Sequence, residues 1–343
     1  MASTVDTTGD TTGDTTGPSV ERSPLGTTGL EVSRLSLGGS ALGGDYGDTS
    51  DDQAVATVRF AIDRGLNLID TSPYYGQTRS EHRIGEALTD GFRERVVLAT
   101  KAGRYRDGST SRFDYSHDGI MRSWEESAER LQTSYFDVYQ LHDVEFVRED
   151  QILTEAWPAM VRLREEGKVG YIGITGYPVR HLAHLARALD PAPETILTYC
   201  HHNLLNTTFD HALLTTVREL GIGVINGSVT HMGVLTERGA ADWHPAPPAV
   251  HETGRRVVEM VRDRGYRITD VALQFALAHP AIASTCVGMR SVEEVEQNIA
   301  AIGGSVDRTL LADIHSLVAP IKNLNWTQGH EEYADAGSVP SRH

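Results

Sequence analysis

The sequence is poor in cysteine, has no long apolar run and shows no excess of basic residues. Only Cys200 and Cys286 are cysteines among 343 residues, which argues against a disulfide framework and favours two buried free thiols in a reducing compartment. No run of 18 or more apolar residues occurs, so no membrane-spanning helix is predicted. The N-terminus lacks the basic-then-apolar pattern of a secretory signal. We therefore expect a cytoplasmic protein.

The charge balance is acidic. The chain has 31 Lys and Arg residues against 47 Asp and Glu residues, a formal net charge of −16 at pH 7, and so lacks the basic surface that nucleic acid requires. Hydrophobic residues make up 39% and charged residues 23%, ordinary values for a globular protein. No nucleic-acid or membrane partner is expected, and the sequence leaves a monomer and a homo-oligomer equally open.

The two ends differ in composition from the rest of the chain. Residues 1–24 repeat Thr-Thr-Gly three times and hold almost nothing that could be buried, so they are predicted to form a disordered N-terminal tail. Residues 326–343 are assigned to a C-terminal tail. The remaining residues, 25–325, are long enough for one large α/β barrel.

Between the tails, an amphipathic helix that ends at a glycine and is followed by a short apolar strand recurs, for example from Ala54 to Asp70 around Gly65. Eight strands are predicted, near residues 35, 67, 96, 136, 169, 196, 222 and 283. This alternation predicts an α/β fold with a parallel sheet. A (β/α)8 TIM barrel fits better than an open doubly wound sheet, because residues 38–44 lack the glycine fingerprint of such sheets. An N-terminal β-hairpin over Leu25–Val32 and an enlarged loop between strands 7 and 8, roughly from His231 to His279, complete the prediction.

Ionisable residues follow three adjacent predicted strands. Asp70 ends the second strand, with Tyr75 in the next loop, Lys101 ends the third strand, and His142 ends the fourth. Each alone has an ordinary structural explanation, such as a capped turn for Asp70. Because active sites of barrels lie at the C-terminal strand ends, the four together predict a catalytic site.

The chemistry that this set allows is proton transfer by tyrosine. A free tyrosine has a pKa of about 10, too high for a base at neutral pH. A lysine cation about 4 Å away contributes roughly 4 kcal/mol at an effective dielectric of about 20, so Lys101 is expected to lower the pKa of Tyr75. Asp70 would orient Lys101, and His142 would position the substrate oxygen. None of these residues carries hydride, so redox chemistry requires a cofactor.

At these residues the chain resembles the aldo-keto reductases. The motifs are Asp-Thr-Ser-Pro-Tyr-Tyr-Gly at 70–76, Ala-Thr-Lys at 99–101, Leu-His at 141–142, Gly-Ile-Thr-Gly at 173–176 and the segment 291–298. The resemblance covers residues from about 25 to 325. It implies that Asp70, Tyr75, Lys101 and His142 form the catalytic tetrad, and that the reaction is hydride transfer with a nicotinamide cofactor.

Within that family the chain is most similar to the L-galactose and L-fucose (D-threo-aldose) 1-dehydrogenases. The shared segments are residues 101–105, 141–146, 172–176, 235–237, 243–245 and 321–326. The resemblance implies oxidation of the anomeric C1 hydroxyl of an aldose to the lactone, with Tyr75 taking the hydroxyl proton. The physiological aldose is left open.

The resemblance also implies binding residues. Those for the cofactor are Gly38, Gly39, Thr175, Tyr199, Asn226, Gly227, Ser228, Gly233, Leu235, Gly288, Met289, Arg290, Ser291, Glu294, Gln297 and Asn298. Those for the substrate are Tyr74, Asp143, His201 and Trp326. Gly227 stands where many members have a tyrosine that stacks on nicotinamide, and Gly176 and Tyr199 stand where many have Asn and Gln. How the nicotinamide ring is held is therefore open.

The choice between NAD and NADP depends on two residues. Arg290 could pair with a 2′-phosphate and favour NADP. Glu294 could accept a hydrogen bond from a 2′-hydroxyl and repel a phosphate, which favours NAD. We expect NAD, with NADP possible.

Several of these residues also have simpler interpretations, and the sequence is compatible with other functions. Asp143 and Glu145 could bind sugar hydroxyls or belong to a solvated loop, and Trp326 could cover the site or anchor the tail. His201 and His202 could be metal ligands, but no acidic or cysteine ligand set of metal spacing accompanies them in the sequence, so no metal is expected. The alternative functions are an NADPH-dependent aldehyde or ketone reductase and a non-enzymatic nicotinamide-sensing subunit.

Overall fold

The computed structural model describes residues 19–341. Most of the predicted N-terminal tail, residues 1–18, lies outside this range. Twelve strands are present among the described residues: β1 (Arg22–Pro24), β2 (Glu31–Ser33), β3 (Leu35–Gly38), β4 (Leu68–Asp70), β5 (Val97–Ala102), β6 (Arg104–Asp107), β7 (Thr110–Phe113), β8 (Phe136–Leu141), β9 (Val169–Gly176), β10 (Thr195–Tyr199), β11 (Gly223–Gly227) and β12 (Ser284–Gly288).

Eight of these strands close into a parallel barrel in the order β3–β4–β5–β8–β9–β10–β11–β12, with β12 paired to β3. The register aligns the strand ends that matter for function. Asp70 of β4 lies level with Gly38 of β3 and Ala99 of β5. Lys101 of β5 lies level with Gln140 of β8. The predicted α/β barrel is therefore confirmed.

Helices surround the barrel: α1 (Asp51–Asp63), α2 (Arg79–Ala87), α3 (His117–Arg130), α4 (Glu149–Gln151), α5 (Trp157–Glu165), α6 (Val179–Ala188), α7 (Thr208–Ala212), α8 (Leu214–Leu220), α9 (Pro248–Asp263), α10 (Ile268–Leu277), α11 (Val292–Ile302) and α12 (Arg308–Val318). Short 3-10 turns cover Ala41–Gly43, Arg93–Arg95, Val144–Phe146, Ala319–Ile321 and Glu331–Tyr333, and one π-helical turn covers Ile152–Ala156. α9 and α10 fill the enlarged connection between the seventh and eighth barrel strands, as predicted.

Local sequence explains where several helices begin. Ser50, Ser116 and Ser291 each accept a hydrogen bond at the N-cap from a backbone N–H of the first turn of α1, α3 and α11. α4, the π-helical turn and α5 follow one another without a break, and Pro158, which cannot donate a backbone hydrogen bond, lies directly after the π-helical turn.

The N-terminal hairpin of β1 and β2 closes the barrel at the amino ends of its strands. Leu25 in its turn is fully buried among side chains of the barrel interior. Gly26 has a φ of +57°, and a Cβ there would lie 2.3 Å from the backbone N of Gly223. The hairpin therefore fits only with glycine at this point. It also begins earlier than predicted, since Arg22–Pro24, assigned to the tail, pairs with Glu31–Ser33.

The segment after residue 325 packs on the barrel. Trp326 is buried and forms a parallel bridge with Val339. The Asp335 carboxylate accepts hydrogen bonds from the backbone N–H groups of Val179 and Arg180 at the start of α6. The division into a barrel and two tails stays a prediction. The burial of Trp326 agrees with the interpretation of this residue as an anchor of the C-terminal segment. Among the described residues, no helix is both long enough and apolar enough to cross a bilayer.

Candidate active site

The structure brings together the four ionisable residues predicted at the strand ends. The Lys101 Nζ lies 2.6 Å from Asp70 Oδ1 and also donates to the carbonyl of Thr71 at 2.8 Å. The same nitrogen lies 4.9 Å from the centroid of the Tyr75 ring. The Tyr75 and His142 rings meet edge to face, with centroids 5.6 Å apart. The four side chains thus form one contiguous group at the mouth of the barrel.

Asp70 and Lys101 form a fully buried ion pair. Burial raises the pKa of Asp70, and the neighbouring Lys101 ammonium opposes this rise. Within residues 19–341 the second carboxylate oxygen, Oδ2, has no hydrogen-bond partner. Removing one member of such a pair costs several kcal/mol, because the other charge is then buried alone. The pair therefore holds Lys101 at a fixed position beneath the Tyr75 ring.

Tyr75 keeps its proton in this structure. Burial raises the pKa of Tyr75 well above its usual value, and the carboxylates of Asp70 and Asp143 raise it further. The prediction that Lys101 lowers this pKa was wrong. The reason is that desolvation disfavours the phenolate, and the Asp70 carboxylate, 2.6 Å from the Lys101 ammonium, also raises the pKa of Tyr75. Tyr75 is thus a hydrogen-bond donor to any oxygen bound beside it.

His142 is a neutral imidazole held by a serine that the sequence analysis missed. Burial lowers the pKa of His142 well below its usual value, and Lys101 and Arg104 lower it further. Its Nδ1 lies 2.9 Å from Ser72 Oγ. That oxygen accepts from the backbone N–H of Tyr74, which leaves the serine proton to donate to Nδ1. This arrangement favours the tautomer in which Nε2 carries the proton and donates to a bound ligand.

A polar wall formed by Tyr74, Arg104 and Asp143 stands beside His142. Arg104 makes an ion pair with Asp143 and lies over the Tyr74 ring at 4.1 Å. The Tyr74 ring in turn meets the His142 ring at 5.8 Å. Arg104 begins β6, a short hairpin with β7 that the helix–strand alternation did not predict. The only sequence feature that marked Arg104 was its position in the segment 101–105, two residues after the end of β5 at Ala102.

The residues after β8 are buried rather than solvated. Asp143 has a φ of +58°, and its backbone N–H donates to Thr175 Oγ1 at 2.9 Å. Glu145 is fully buried, and its Oε1 accepts from the backbone N–H of Tyr177 at 3.1 Å. Its Oε2 has no partner among the described residues and lies 2.6 Å from where a Cβ on Gly176 would be. The interpretation of this segment as a solvated loop is therefore wrong.

Two predicted substrate residues, His201 and Trp326, belong to an aromatic cluster behind the site. The Trp326 ring stacks on Tyr177 with centroids 4.6 Å apart, and Tyr177 meets His201 at 4.5 Å. Burial lowers the pKa of His201 to about 3. Trp326 is 1% exposed, so it anchors the C-terminal segment and presents no free ring face to a sugar in this structure. His201 is also fully buried, its Nδ1 bonds to Thr208 Oγ1, and its Nε2 has no hydrogen-bond partner among the described residues.

Most of the predicted cofactor residues lie at the C-terminal ends of β3, β9, β10, β11 and β12 or directly after them. Asn226 Oδ1 is buried without a partner in the described part of the chain, while its amide nitrogen donates to the carbonyl of His202 at 3.1 Å. Three of the predicted cofactor residues have side chains with other contacts in the structure. The side chains of Leu235 and Met289 lie in apolar clusters, and Gln297 is exposed and accepts from Arg267 at 3.0 Å.

Arg290 and Glu294, the two residues expected to choose between NAD and NADP, bind each other. The Arg290 Nη2 lies 2.7 Å from Glu294 Oε1, and the Arg290 backbone N–H donates to Oε2 at 2.7 Å. The other guanidinium nitrogen donates to the carbonyl of Tyr46 at 3.0 Å. The two residues were expected to have opposite effects on cofactor choice, whereas in the structure they form one ion pair.

The chain is similar to known proteins over most of its length. The Aldo/keto reductase family matches residues 34–318. The chain is 41% identical to L-galactose dehydrogenase of Arabidopsis thaliana over 90% of this chain and 98% of that protein. It is 30% identical to D-arabinose 1-dehydrogenase of Saccharomyces cerevisiae over 77% of this chain and 81% of that protein.

A solved structure supports the fold independently. An aldo-keto reductase from Bacillus halodurans superposes with a TM-score of 0.75, at 23% identity, over 92% of this chain and all of that one. The match to the family spans the whole barrel, and the strand-end residues lie within it. The chain therefore belongs to the aldo/keto reductase family of oxidoreductases.

Proposed function

We propose that this protein is an NAD-dependent aldose 1-dehydrogenase that oxidises the C1 hydroxyl of a sugar such as L-galactose or L-fucose to the lactone. The observation that carries the proposal is the wall of Tyr74, Arg104 and Asp143 directly beside the Tyr75–His142 pair. Such a wall offers hydrogen-bond donors and acceptors to several hydroxyl groups at once, which suits a sugar better than an apolar carbonyl compound. The L-galactose and D-arabinose dehydrogenases among its relatives support the same substrate class.

In this proposal the sugar's anomeric oxygen lies between the Tyr75 hydroxyl and His142 Nε2. His142 is neutral and held by Ser72, so it donates a hydrogen bond and orients the oxygen without adding charge. Tyr75 takes the hydroxyl proton as the phenolate, after losing its own proton to water. Asp70 and Lys101 act through Tyr75, because they are buried beneath it and fix the local field.

The residues present fit a nicotinamide cofactor at the same end of the barrel. The unpartnered Asn226 Oδ1 is an acceptor suited to an amide N–H group, whereas Glu145 Oε2 already fills the space beside Gly176. A bound nicotinamide supplies the hydride acceptor that the side chains lack. Because Glu294 already neutralises Arg290, a 2′-phosphate would have to displace a carboxylate, and we therefore favour NAD over NADP.

The test is a matrix of free sugars and cofactors. Purified protein is mixed with L-galactose, L-fucose or D-arabinose and either NAD or NADP, and the appearance of reduced cofactor is followed by absorbance. Tyr75→Phe serves as the control, and we expect it to lose turnover while still binding cofactor. No cofactor reduction with any sugar in either cofactor would refute the proposal.

One observation favours a second candidate, an NADPH-dependent aldehyde or ketone reductase. The raised pKa of Tyr75 keeps its proton in place, and reduction of a carbonyl needs a proton donor at this position. This activity would be identified by oxidation of NADPH on addition of simple aldehydes and by the absence of cofactor reduction with sugars.

A further inference from the structure

A second group of metal-binding side chains lies outside the tetrad. His202 follows β10, Asp210 lies in α7, and His279 comes two residues after α10. One ligand atom from each lies within 4.8 Å of the other two. The shortest separation, 2.9 Å, joins Asp210 Oδ1 and His279 Nε2. The sequence analysis found no acidic ligand near His202, because Asp210 and His279 approach it only through the fold.

The environment of His202 indicates a missing ligand for its imidazole. Its side chain is 5% exposed, and neither ring nitrogen makes a hydrogen bond within residues 19–341. The ring is clamped between Phe275, stacked at 5.2 Å, and the edge of Phe209 at 6.5 Å. Leaving a buried polar group unsatisfied costs about 1–3 kcal/mol, so a partner for this imidazole would stabilise the fold.

The two histidine rings of the cluster are in contact. A neutral imidazole nitrogen with a free lone pair is the form that binds a metal ion. His279 meets the His202 ring at 4.6 Å, edge to face.

We propose that His202, Asp210 and His279 bind one divalent transition-metal ion, with zinc as the first candidate. Two imidazoles and one carboxylate are a common ligand set for zinc. Ligand atoms about 2.0–2.1 Å from a tetrahedral ion lie about 3.3 Å from one another, so pairs now up to 4.8 Å apart must contract by as much as about 1.5 Å. A water molecule would complete the coordination.

The site would be structural rather than catalytic. It joins the loop after β10 to α7 and to the end of α10, and the His202 carbonyl accepts from Asn226 of β11 at 3.1 Å. Lys322 opposes metal binding, because its positive charge acts on both Asp210 and His202. Its Nζ donates a hydrogen bond to the Leu204 carbonyl at 3.3 Å. The rival explanation is that Asp210 and His279 form only an ion pair, with His202 left as a packed ring.

The experiment uses the full chain without a histidine tag, stripped with a chelator and dialysed. Cobalt is added and its visible absorption followed, and zinc is then titrated against a chromophoric chelator. We expect one saturable equivalent, displacement of cobalt by zinc, and a zinc-dependent rise in the melting temperature. His279→Gln and Asp210→Asn should each weaken binding by more than about tenfold, because loss of an outer-shell group alone has that effect.

His211→Gln is the matched control, since His211 is exposed on the same short helix and lies outside the cluster. It should bind metal as the unchanged protein does. If a variant misfolds, shown by circular dichroism, the other variant decides. Unsaturable binding, or equal binding by all three variants, would overturn the metal site and leave the ion pair as the explanation.

Discussion

The cancellation of the Lys101 charge by Asp70 can be tested by replacing Asp70 with asparagine. Asparagine keeps the shape of the side chain and removes its charge. Lys101 Nζ lies 4.9 Å from the Tyr75 ring centroid, a distance at which a free ammonium would stabilise a phenolate by about 3 kcal/mol at an effective dielectric of about 20. In Asp70→Asn this field is no longer opposed by the carboxylate, so the pKa of Tyr75 should fall.

The assay is the pH dependence of sugar oxidation. In the unchanged protein Tyr75 is protonated at neutral pH, and the rate should rise with pH as the phenolate becomes available. In Asp70→Asn the whole profile should move to lower pH by at least one unit, since 1.4 kcal/mol corresponds to one unit. The maximum rate should fall, because Lys101 loses the partner that orients it.

The control is Asp90→Asn, which removes the same charge from an exposed carboxylate paired with Arg59. Asp90 has a φ of +58°, a conformation that asparagine tolerates. Its pH profile should not move. A profile of folded Asp70→Asn that stays in place or shifts to higher pH would show that Asp70 does not mask Lys101.

Three further predictions concern cofactor choice, the polar wall and the C-terminal anchor. Glu294→Gln should free Arg290 and raise kcat/KM for NADP relative to NAD by about tenfold, because one charge-assisted hydrogen bond contributes about 1.5–3 kcal/mol. Steady-state kinetics with both cofactors measure this ratio, and an unchanged ratio would contradict the prediction. Arg104→Met should raise KM for the sugar at least tenfold with little change in KM for the cofactor, because Asp143 and Tyr74 lose their hydrogen-bond partner. Equal effects on both KM values would place Arg104 outside the substrate site. Trp326→Ala should lower the free energy of unfolding by about 3–5 kcal/mol in denaturant titrations; a loss below about 1 kcal/mol would mean that the segment after residue 325 does not anchor the barrel.

The positions of the tetrad could be predicted from the sequence because each depends on a short local pattern. An apolar run that ends in Asp70 is a strand followed by a turn, and the same holds for the runs before Lys101 and His142. Parallel strands then bring their carboxyl ends to one face. Nothing about the exact path of the loops is needed for this step.

The state of the site could not be predicted in the same way, because it depends on contacts between loops. The sequence predicted that Asp70 orients Lys101 and that Lys101 lies near Tyr75, but not that the phenol would be buried. Arg104 and Ser72 were missed because their partners belong to other loops. Trp326 was assigned to a tail, since only the fold reveals the aromatic cluster that receives it.

The charges of the site are arranged so that none faces the substrate unpaired. Asp70 neutralises Lys101, and Arg104 neutralises Asp143, while Tyr75 and His142, the two groups nearest a bound oxygen, are both uncharged. In such a buried site of low dielectric, the electrostatic field of a charged ligand is only weakly screened. A cationic ligand beside Tyr75 would favour the phenolate, and a neutral one would leave the phenol. The direction of proton transfer is therefore set by what binds, and the protein's own contribution is to hold both neutral groups in place.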